Sequence, residues 1–203
     1  MLFYSLEIIG TLAFAISGAL AAIKHRMDLS GVIVLAFIVG NGGGTIRDIM
    51  LKVPIFWFTE YSYVWISVAA GIICFIAASG RKFHDRIAAL NKWLLLFDAI
   101  GLGVFAIAGT EKALDAHFNS YIAIVMGVLT ATGGGVVRDI LCSDIPVIFR
   151  RELYATLALL GGILYVLLLP CTNVEVAIFG SIAVVVILRI LALTRDWHLP
   201  MAK

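Results

Sequence analysis

Apolar residues in this chain form long blocks, separated by short polar segments that hold most of the charges. Seven blocks come close to or exceed the roughly 20 mainly apolar residues that a membrane-spanning helix needs. The predicted spans are 2–23, 29–50, 62–80, 93–114, 120–142, 153–170 and 174–194. Because no loop is long enough to separate soluble domains, the pattern predicts an all-α membrane protein with a single transmembrane domain over residues 1–203.

The composition supports a lipid environment. Hydrophobic residues make up 62% of the chain and charged residues 14%, against roughly 45–50% and 25% in soluble domains. A soluble core of this length could not bury so much apolar surface. The net charge of +2 is too small to indicate nucleic-acid binding. The first block carries Glu7 and lacks a basic leading segment, so we interpret it as a span and not as a signal peptide.

Basic residues are distributed unequally between the two sets of loops. The loops after the first, third and fifth spans and the C-terminal tail hold ten of them: Lys24, Arg26, Arg81, Lys82, Arg86, Lys92, Arg150, Arg151, Arg195 and Lys203. The loops on the other side hold two, Lys52 and Lys112. Because basic loops stay cytoplasmic, this pattern predicts a cytoplasmic C-terminus and, with seven spans, an N-terminus outside the plasma (inner) membrane.

An internal repeat is the most informative feature of the sequence. The octet GGGTIRDI at 42–49 recurs as GGGVVRDI at 133–140, a shift of 91 positions (133 minus 42). The same shift aligns Glu7 with Asp98 and Phe14 with Phe105. We therefore predict one repeat over about 4–80, a second over about 93–170, and an extra helix over about 174–194. Three spans in each repeat would insert the second copy upside down, as in many transporters and channels.

Both glycine triplets lie within predicted spans, the second and the fifth. Each glycine weakens a helix by about 1 kcal/mol relative to alanine, and a helix interrupted in lipid must have protein or water around the break. We predict kinks that face a polar interior at the following glycines: Gly42, Gly43, Gly44, Gly133, Gly134 and Gly135. The alternative is close helix packing, since glycines let two backbones approach in membranes.

Charged residues beside the triplets are expensive in a bilayer, so they must face a partner or a cavity. We predict two charge layers, with Glu7, Arg47 and Asp48 towards the outside and Asp98, Arg138 and Asp139 towards the cytoplasm. Each layer has a formal charge of −1, which would favour cations in a pore. The alternative is that each Arg-Asp pair is only a structural clamp at a helix break.

Other polar groups are assigned more ordinary roles. Glu111, Lys112, Asp115 and His117 are expected to be solvated, and Ser17 and Thr110 either line the pore or bond to backbone carbonyls. Aromatic residues at 57, 61, 63 and 65 suggest an interfacial belt. The three cysteines have no CxxC spacing and are interpreted as small hydrophobic residues. No metal site and no cofactor is predicted.

With its paired GGGxxRD motifs, the chain resembles the prokaryotic members of the trimeric intracellular cation (TRIC) channel family over about residues 4–195. The resemblance implies a homotrimer in lipid, with a pore in each protomer that passes monovalent cations, K⁺ foremost. It also implies that the pore is lined by the second and fifth spans, kinked at Gly42–Gly44 and Gly133–Gly135, with Arg47, Asp48, Arg138 and Asp139 adjacent. The Lys-Glu-Val signature of animal members is absent.

Two functions therefore remain open. A passive channel for K⁺ and Na⁺ is the first, and a secondary transporter of a small amino acid such as glycine is the second, because both use inverted repeats and polar sites near the midplane. An intramembrane enzyme is disfavoured, since the sequence has no HExxH motif, no histidine at membrane depth and no basic partner for its cysteines. No nucleic-acid partner is expected.

Overall fold

The computed structural model describes residues 2–79, 87–149, 153–195 and 197. Helices account for most of the described backbone. Their bounds are α1 Leu2–Lys24, α2 Leu29–Leu51, α3 Phe56–Thr59, α4 Ser62–Ala78, α5 Ile87–Asp115, α6 Ser120–Leu141, α7 Ala155–Leu168 and α8 Val174–Thr194, with one 3₁₀ turn at Val147–Phe149. Five of them, α1, α2, α5, α6 and α8, are long and apolar enough to span a membrane.

The seven predicted spans correspond to α1, α2, α4, α5, α6, α7 and α8. Their bounds agree with the helices to within a few residues, except that α5 begins at Ile87. The helices α4 and α7 are apolar but shorter, with 17 and 14 residues. The count of seven membrane crossings therefore stays a prediction. The basic residues Arg81, Lys82, Arg86, Arg150, Arg151 and Lys203, on which the predicted orientation depends, lie outside the described residues.

Helix ends recur at the same 91-residue offset as the sequence motif. Asp28 caps the start of α2 by accepting the Gly31 N–H, and Asn119 caps α6 by accepting the Ile122 N–H. Left-handed backbone conformations follow the helices at two pairs of equivalent positions, Arg26 with His117 and Lys52 with Ser143. Such residues terminate helices. Positions 91 residues apart therefore share their backbone conformation as well as similar residue types.

Asp28 lies in the loop between α1 and α2, outside the spans. Hydrogen bonds from the Gly31 N–H and the Ser30 hydroxyl stabilise its carboxylate and lower its pKa below the ordinary value. A carboxyl group with a lowered folded-state pKa stabilises the fold above its unfolded pKa, and this contribution is lost as the pH falls through the folded pKa.

The core is formed where α1, α2, α5 and α6 pack together. Phe14 of α1 and Phe105 of α5 stack with ring centroids 5.3 Å apart, and they are equivalent positions of the two repeats. Gly10 lies against Phe105, and Gly101 lies against Phe14. As the chain advances along α1, its contacts recede along α5, so the two helices cross antiparallel, which is the relation expected between inverted copies.

The glycine triplets lie at the crossing of α2 and α6. Both helices are continuous through them, so the predicted interruption of the helix is wrong. A bend of the axis within a continuous helix stays a prediction. A methyl group at Gly43 would collide with the Thr130 carbonyl oxygen, and one at Gly134 with the Val39 carbonyl oxygen. Here the glycines allow close backbone approach, which is the alternative that the sequence left open.

This packing predicts an unequal response within one triplet. We expect G43A and G134A each to lower the free energy of unfolding by about 1–3 kcal/mol, the usual cost of overpacking. G42A is the matched control, because an added methyl group at Gly42 meets no atom within 4 Å. Melting temperatures of the detergent-purified variants measure this. An equal loss of stability in G42A and G43A would contradict the packing role.

Candidate functional site

The outer cluster is defined here as Glu7 of α1, Arg47 and Asp48 of α2, and Lys112 of α5. Arg47 Nη2 lies 2.9 Å from Glu7 Oε1, and Arg47 Nε donates to Asp48 Oδ1 at 2.8 Å. Arg47 and Asp48 are completely buried. The Lys112 Nζ lies 3.3 Å from Asp48 and 5.8 Å from the centre of the Phe56 ring. The cluster thus joins α1, α2 and α5.

The inner cluster is defined as Asp98 of α5 with Arg138 and Asp139 of α6. Arg138 Nη1 donates to Asp98 Oδ1 at 2.5 Å, and Arg138 Nε donates to Asp139 Oδ1 at 2.9 Å. Arg138 Nη1 also donates to the Ser17 hydroxyl of α1 at 2.6 Å. All three charged residues are buried. Each ion pair of the inner cluster joins positions that lie 91 residues after those of an ion pair in the outer cluster.

The aspartates also hold the chain that follows their helices. Asp48 Oδ2 accepts the Phe56 N–H at 2.9 Å, and Asp139 Oδ2 accepts the Val147 N–H at 2.9 Å. Phe56 begins α3 and Val147 begins the 3₁₀ turn, so each carboxylate caps the start of a short helix, where negative charge is favoured. Each aspartate thus holds the segment that follows its helix, but α2 and α6 have no break that the clamp offered as an alternative by the sequence would close.

The clusters differ from the sequence prediction in one important respect. Lys112, expected to be solvated, is a member of the outer cluster, with 28% of its side chain exposed. Two acids and two cations then give the outer cluster a formal charge of zero instead of −1. Asp98, Arg138 and Asp139 keep the predicted value of −1. The position equivalent to Lys112 in the first repeat (112 minus 91) is Ala21, which has no charge.

A cavity of about 200 Å³ opens beside the inner cluster. Ala21 lines it together with Arg138 and Asp139. Because Ala21 is the equivalent of Lys112, the cavity lies beside Asp139 at the place where, in the outer cluster, Lys112 lies beside Asp48. His25 Nε2 lies 3.1 Å from Asp144 Oδ2 at the same cavity. The inner cluster is thus reached by an open space with charged walls, which suits ions or water.

Several supporting residues escaped the sequence analysis or were assigned other roles. Tyr63, expected in the aromatic belt, is buried and donates its hydroxyl to Glu7 at 3.1 Å, whereas Tyr61 and Trp65 are each 70% exposed. Glu111, expected to be solvated, accepts a hydrogen bond from Tyr165. Thr110 bonds to the Ala106 carbonyl, as one of its two expected roles requires.

One buried charge, Arg189 in α8, was overlooked entirely. An arginine inside an apolar span is itself a signal of function, and this signal is visible in the sequence.

The described residues contain no group of three metal-ligating side chains.

These features define a multi-pass helical membrane protein with two buried acid–arginine clusters. A family model described as "Glycine transporter" matches residues 4–79 and 95–170. The chain is 39% identical to the UPF0126 inner membrane protein YadS of Escherichia coli K12 over 201 residues, which are 98% of this chain and 94% of that protein.

Solved channel structures are similar to this chain over nearly its whole length. A trimeric intracellular cation channel orthologue from Rhodobacter sphaeroides has a TM-score of 0.87 and 38% identity, covering 96% of this chain and 98% of its own. A second structure, solved to explain conductance through TRIC cation channels, has a TM-score of 0.84 and 39% identity, covering 100% and 98%. The chain belongs to the TRIC family, in the group that the glycine-transporter model matches, and the resemblance read from the sequence is confirmed.

The buried pairing predicts a large effect of losing either arginine. We expect R47Q and R138Q each to lower the free energy of unfolding by about 3–5 kcal/mol, because the remaining carboxylates are left buried without a cation. K112Q is the comparison variant and should cost much less, since the Lys112 ammonium is partly exposed. Thermal unfolding in detergent measures all three. Equal losses in R138Q and K112Q would contradict the ranking.

Proposed function

We propose that this protein is a membrane channel that passes monovalent cations, K⁺ and Na⁺, through a pore within each protomer. The observation that carries the proposal is similarity to solved TRIC cation channels along nearly the whole chain, at 38–39% identity. These neighbours are channels and not enzymes. The buried clusters support the proposal, because ionisable groups held inside a membrane protein mark ion pathways.

The pore that we propose runs past both clusters and the crossing of α2 and α6 between them. Its walls would be formed by the residues that the sequence predicted, with Glu7 and Asp98 as supporting acids. The lining residues are Gly42, Gly43, Gly44, Arg47, Asp48, Gly133, Gly134, Gly135, Arg138 and Asp139. Since α2 and α6 are continuous, side-chain oxygens of the acids, and not released backbone groups, would contact the ions. The carboxylates favour cations, and the arginines hold the carboxylates in place through charge-assisted hydrogen bonds.

Neutralising one acid in each cluster tests this pore. In planar bilayers under a KCl gradient, we expect the wild-type reversal potential to be shifted from zero towards the equilibrium potential of K⁺. D139N should move it towards zero, because a carboxylate beside the inner cavity is lost. D48N should have a smaller effect, since two cations already surround Asp48.

D115N is the matched control for these variants, because Asp115 is an exposed acid at the end of α5. Its reversal potential should equal that of the wild type. If D48N and D139N both kept the wild-type reversal potential while conducting, the clusters would not line the ion path and this assignment would be wrong.

A second function is favoured by the family model, which is described as a glycine transporter. A small amino acid could place its carboxylate against an arginine of either cluster. Liposomes containing the purified protein separate the two functions. Saturable uptake of labelled glycine, with no single-channel steps in bilayers, would establish the transporter and exclude the channel.

We further propose a homotrimer in the plasma membrane, with the N-terminus outside and the C-terminus cytoplasmic. The R. sphaeroides orthologue is described as trimeric, and the distribution of basic residues supports the orientation. Native mass spectrometry of the detergent-purified protein should show three copies of the 21.9 kDa chain. A protein that stays monomeric after mild extraction would contradict the trimer.

A further inference from the structure

The cavity beside the inner cluster has a pair of titratable side chains in its wall, and they come from two different loops. His25 follows α1, Asp144 follows α6, and the His25 Nε2 lies 3.1 Å from the Asp144 Oδ2. Both line the cavity together with Arg138 and Asp139. The two side chains are also partly exposed, His25 by 29% and Asp144 by 44%. The pair therefore borders both the cavity and the solvent.

The backbone at the two helix ends positions this pair. His25 precedes Arg26 and Asp144 follows Ser143, and both of these neighbours have left-handed backbone conformations. Such residues close helix ends through backbone hydrogen bonds. In the second loop the Asp144 N–H donates to the Asp139 carbonyl at 2.8 Å. The helix ends are thus closed by backbone groups, and the side chains of the pair are left for another role.

The outer end of the molecule has the same backbone geometry without the pair. The positions equivalent to His25 and Asp144 are Ala116 and Val53, beside the left-handed residues His117 and Lys52. The helix ends therefore form equally well with two apolar side chains. A partly exposed ion pair also contributes little to stability. The pair is thus a property of the inner cavity and is not required by the fold.

The charge of the cavity depends on His25. The titratable or charged residues that line the cavity are Lys24, His25, Arg138, Asp139, Cys142 and Asp144, whereas α5 contributes only an asparagine and two leucines. The inner cluster has a formal charge of −1, and the charges of Lys24 and Asp144 cancel. The total is therefore −1 while His25 is neutral, and it becomes zero when His25 is protonated.

Histidine is the side chain that ordinarily changes its charge between about pH 5 and 8. We infer that Asp144 determines cation selectivity at the inner end of the proposed pore and that His25 makes this selectivity depend on pH. While His25 is neutral, the Asp144 carboxylate raises the concentration of cations in the cavity, because charged walls attract counter-ions. Protonated His25 cancels that charge, so the preference for cations falls as the pH falls. This inference rests on the proposed channel function.

Changing the pH on one side of the membrane tests it. In planar bilayers under a KCl gradient at about 0.1 M salt, the ratio of K⁺ to Cl⁻ permeability is measured while one chamber is taken from about pH 8 to about pH 5.5. We expect a fall of about threefold, because one nearby positive charge is gained. Only the chamber that faces the cavity should have this effect. The response should shrink near 1 M salt, where the screening length is about 3 Å.

Variants of the pair separate its two members. H25Q should keep the high permeability ratio at both pH values, because its amide can still donate to Asp144 but cannot become charged. H25K should show the low ratio at both, because it is charged throughout. At about pH 8, D144N should show the ratio that the wild type has at about pH 5.5, since it lacks the carboxylate that neutral His25 leaves uncancelled.

H117N is the matched control, because His117 is an exposed histidine after α5 and asparagine tolerates its left-handed backbone. It should keep the wild-type response to pH. A conducting H25Q with the wild-type response would overturn the inference, as would an H25K that matches the wild type at about pH 8. A wild-type ratio that does not change with pH would overturn it and leave the channel function intact. A silent wild-type protein would refute the channel function and this inference with it.

Discussion

Ion pairing inside a low-dielectric interior is the constraint on which the rest of this structure depends. Arg47 and Arg138 lie in helices that pass through the apolar core, and the cost of burying their charge there is offset by carboxylates at hydrogen-bond distance. Neighbouring residues of a helix do not face each other, so each arginine must curl back to reach the aspartate that follows it. One of its terminal nitrogens then reaches an acid on α1 or α5. One motif thereby fixes how three helices meet.

The glycine triplets work together with these pairs. Close approach of α2 and α6 at Gly43 and Gly134 removes the space that larger side chains would occupy, and it leaves both helices intact. Backbone polar groups therefore stay bonded within the helices, as lipid requires. The polar character of the molecular interior comes instead from side chains: carboxylates, guanidinium groups and a few hydroxyls such as that of Ser17.

Approximate twofold repetition makes the departures from it informative. Lys112 lies beside Asp48, whereas its equivalent, Ala21, lines a cavity beside Asp139. Arg189 comes from a helix that has no counterpart in the first repeat. Lys112 adds a cation to the outer cluster alone, and Arg189 lies over the ring of Tyr154, so the two ends of the molecule contain the same acid–arginine core in different electrostatic surroundings. A pathway through both clusters would present different surroundings to an ion at its two ends.

The sequence by itself determined the membrane class, the approximate bounds of the seven apolar helices, the repeat offset and the members of the two acid–arginine cores. It could do so because lipid imposes long apolar blocks and makes isolated charges conspicuous, and both are local properties. Only the tertiary structure decided that the triplets are unbroken helix, because a glycine run permits either a break or close packing and the neighbouring helix selects between them. It also decided that Lys112 and Tyr63 belong with the outer cluster. Their contacts join residues far apart in the chain, and no local pattern states which long side chain crosses the space between two helices.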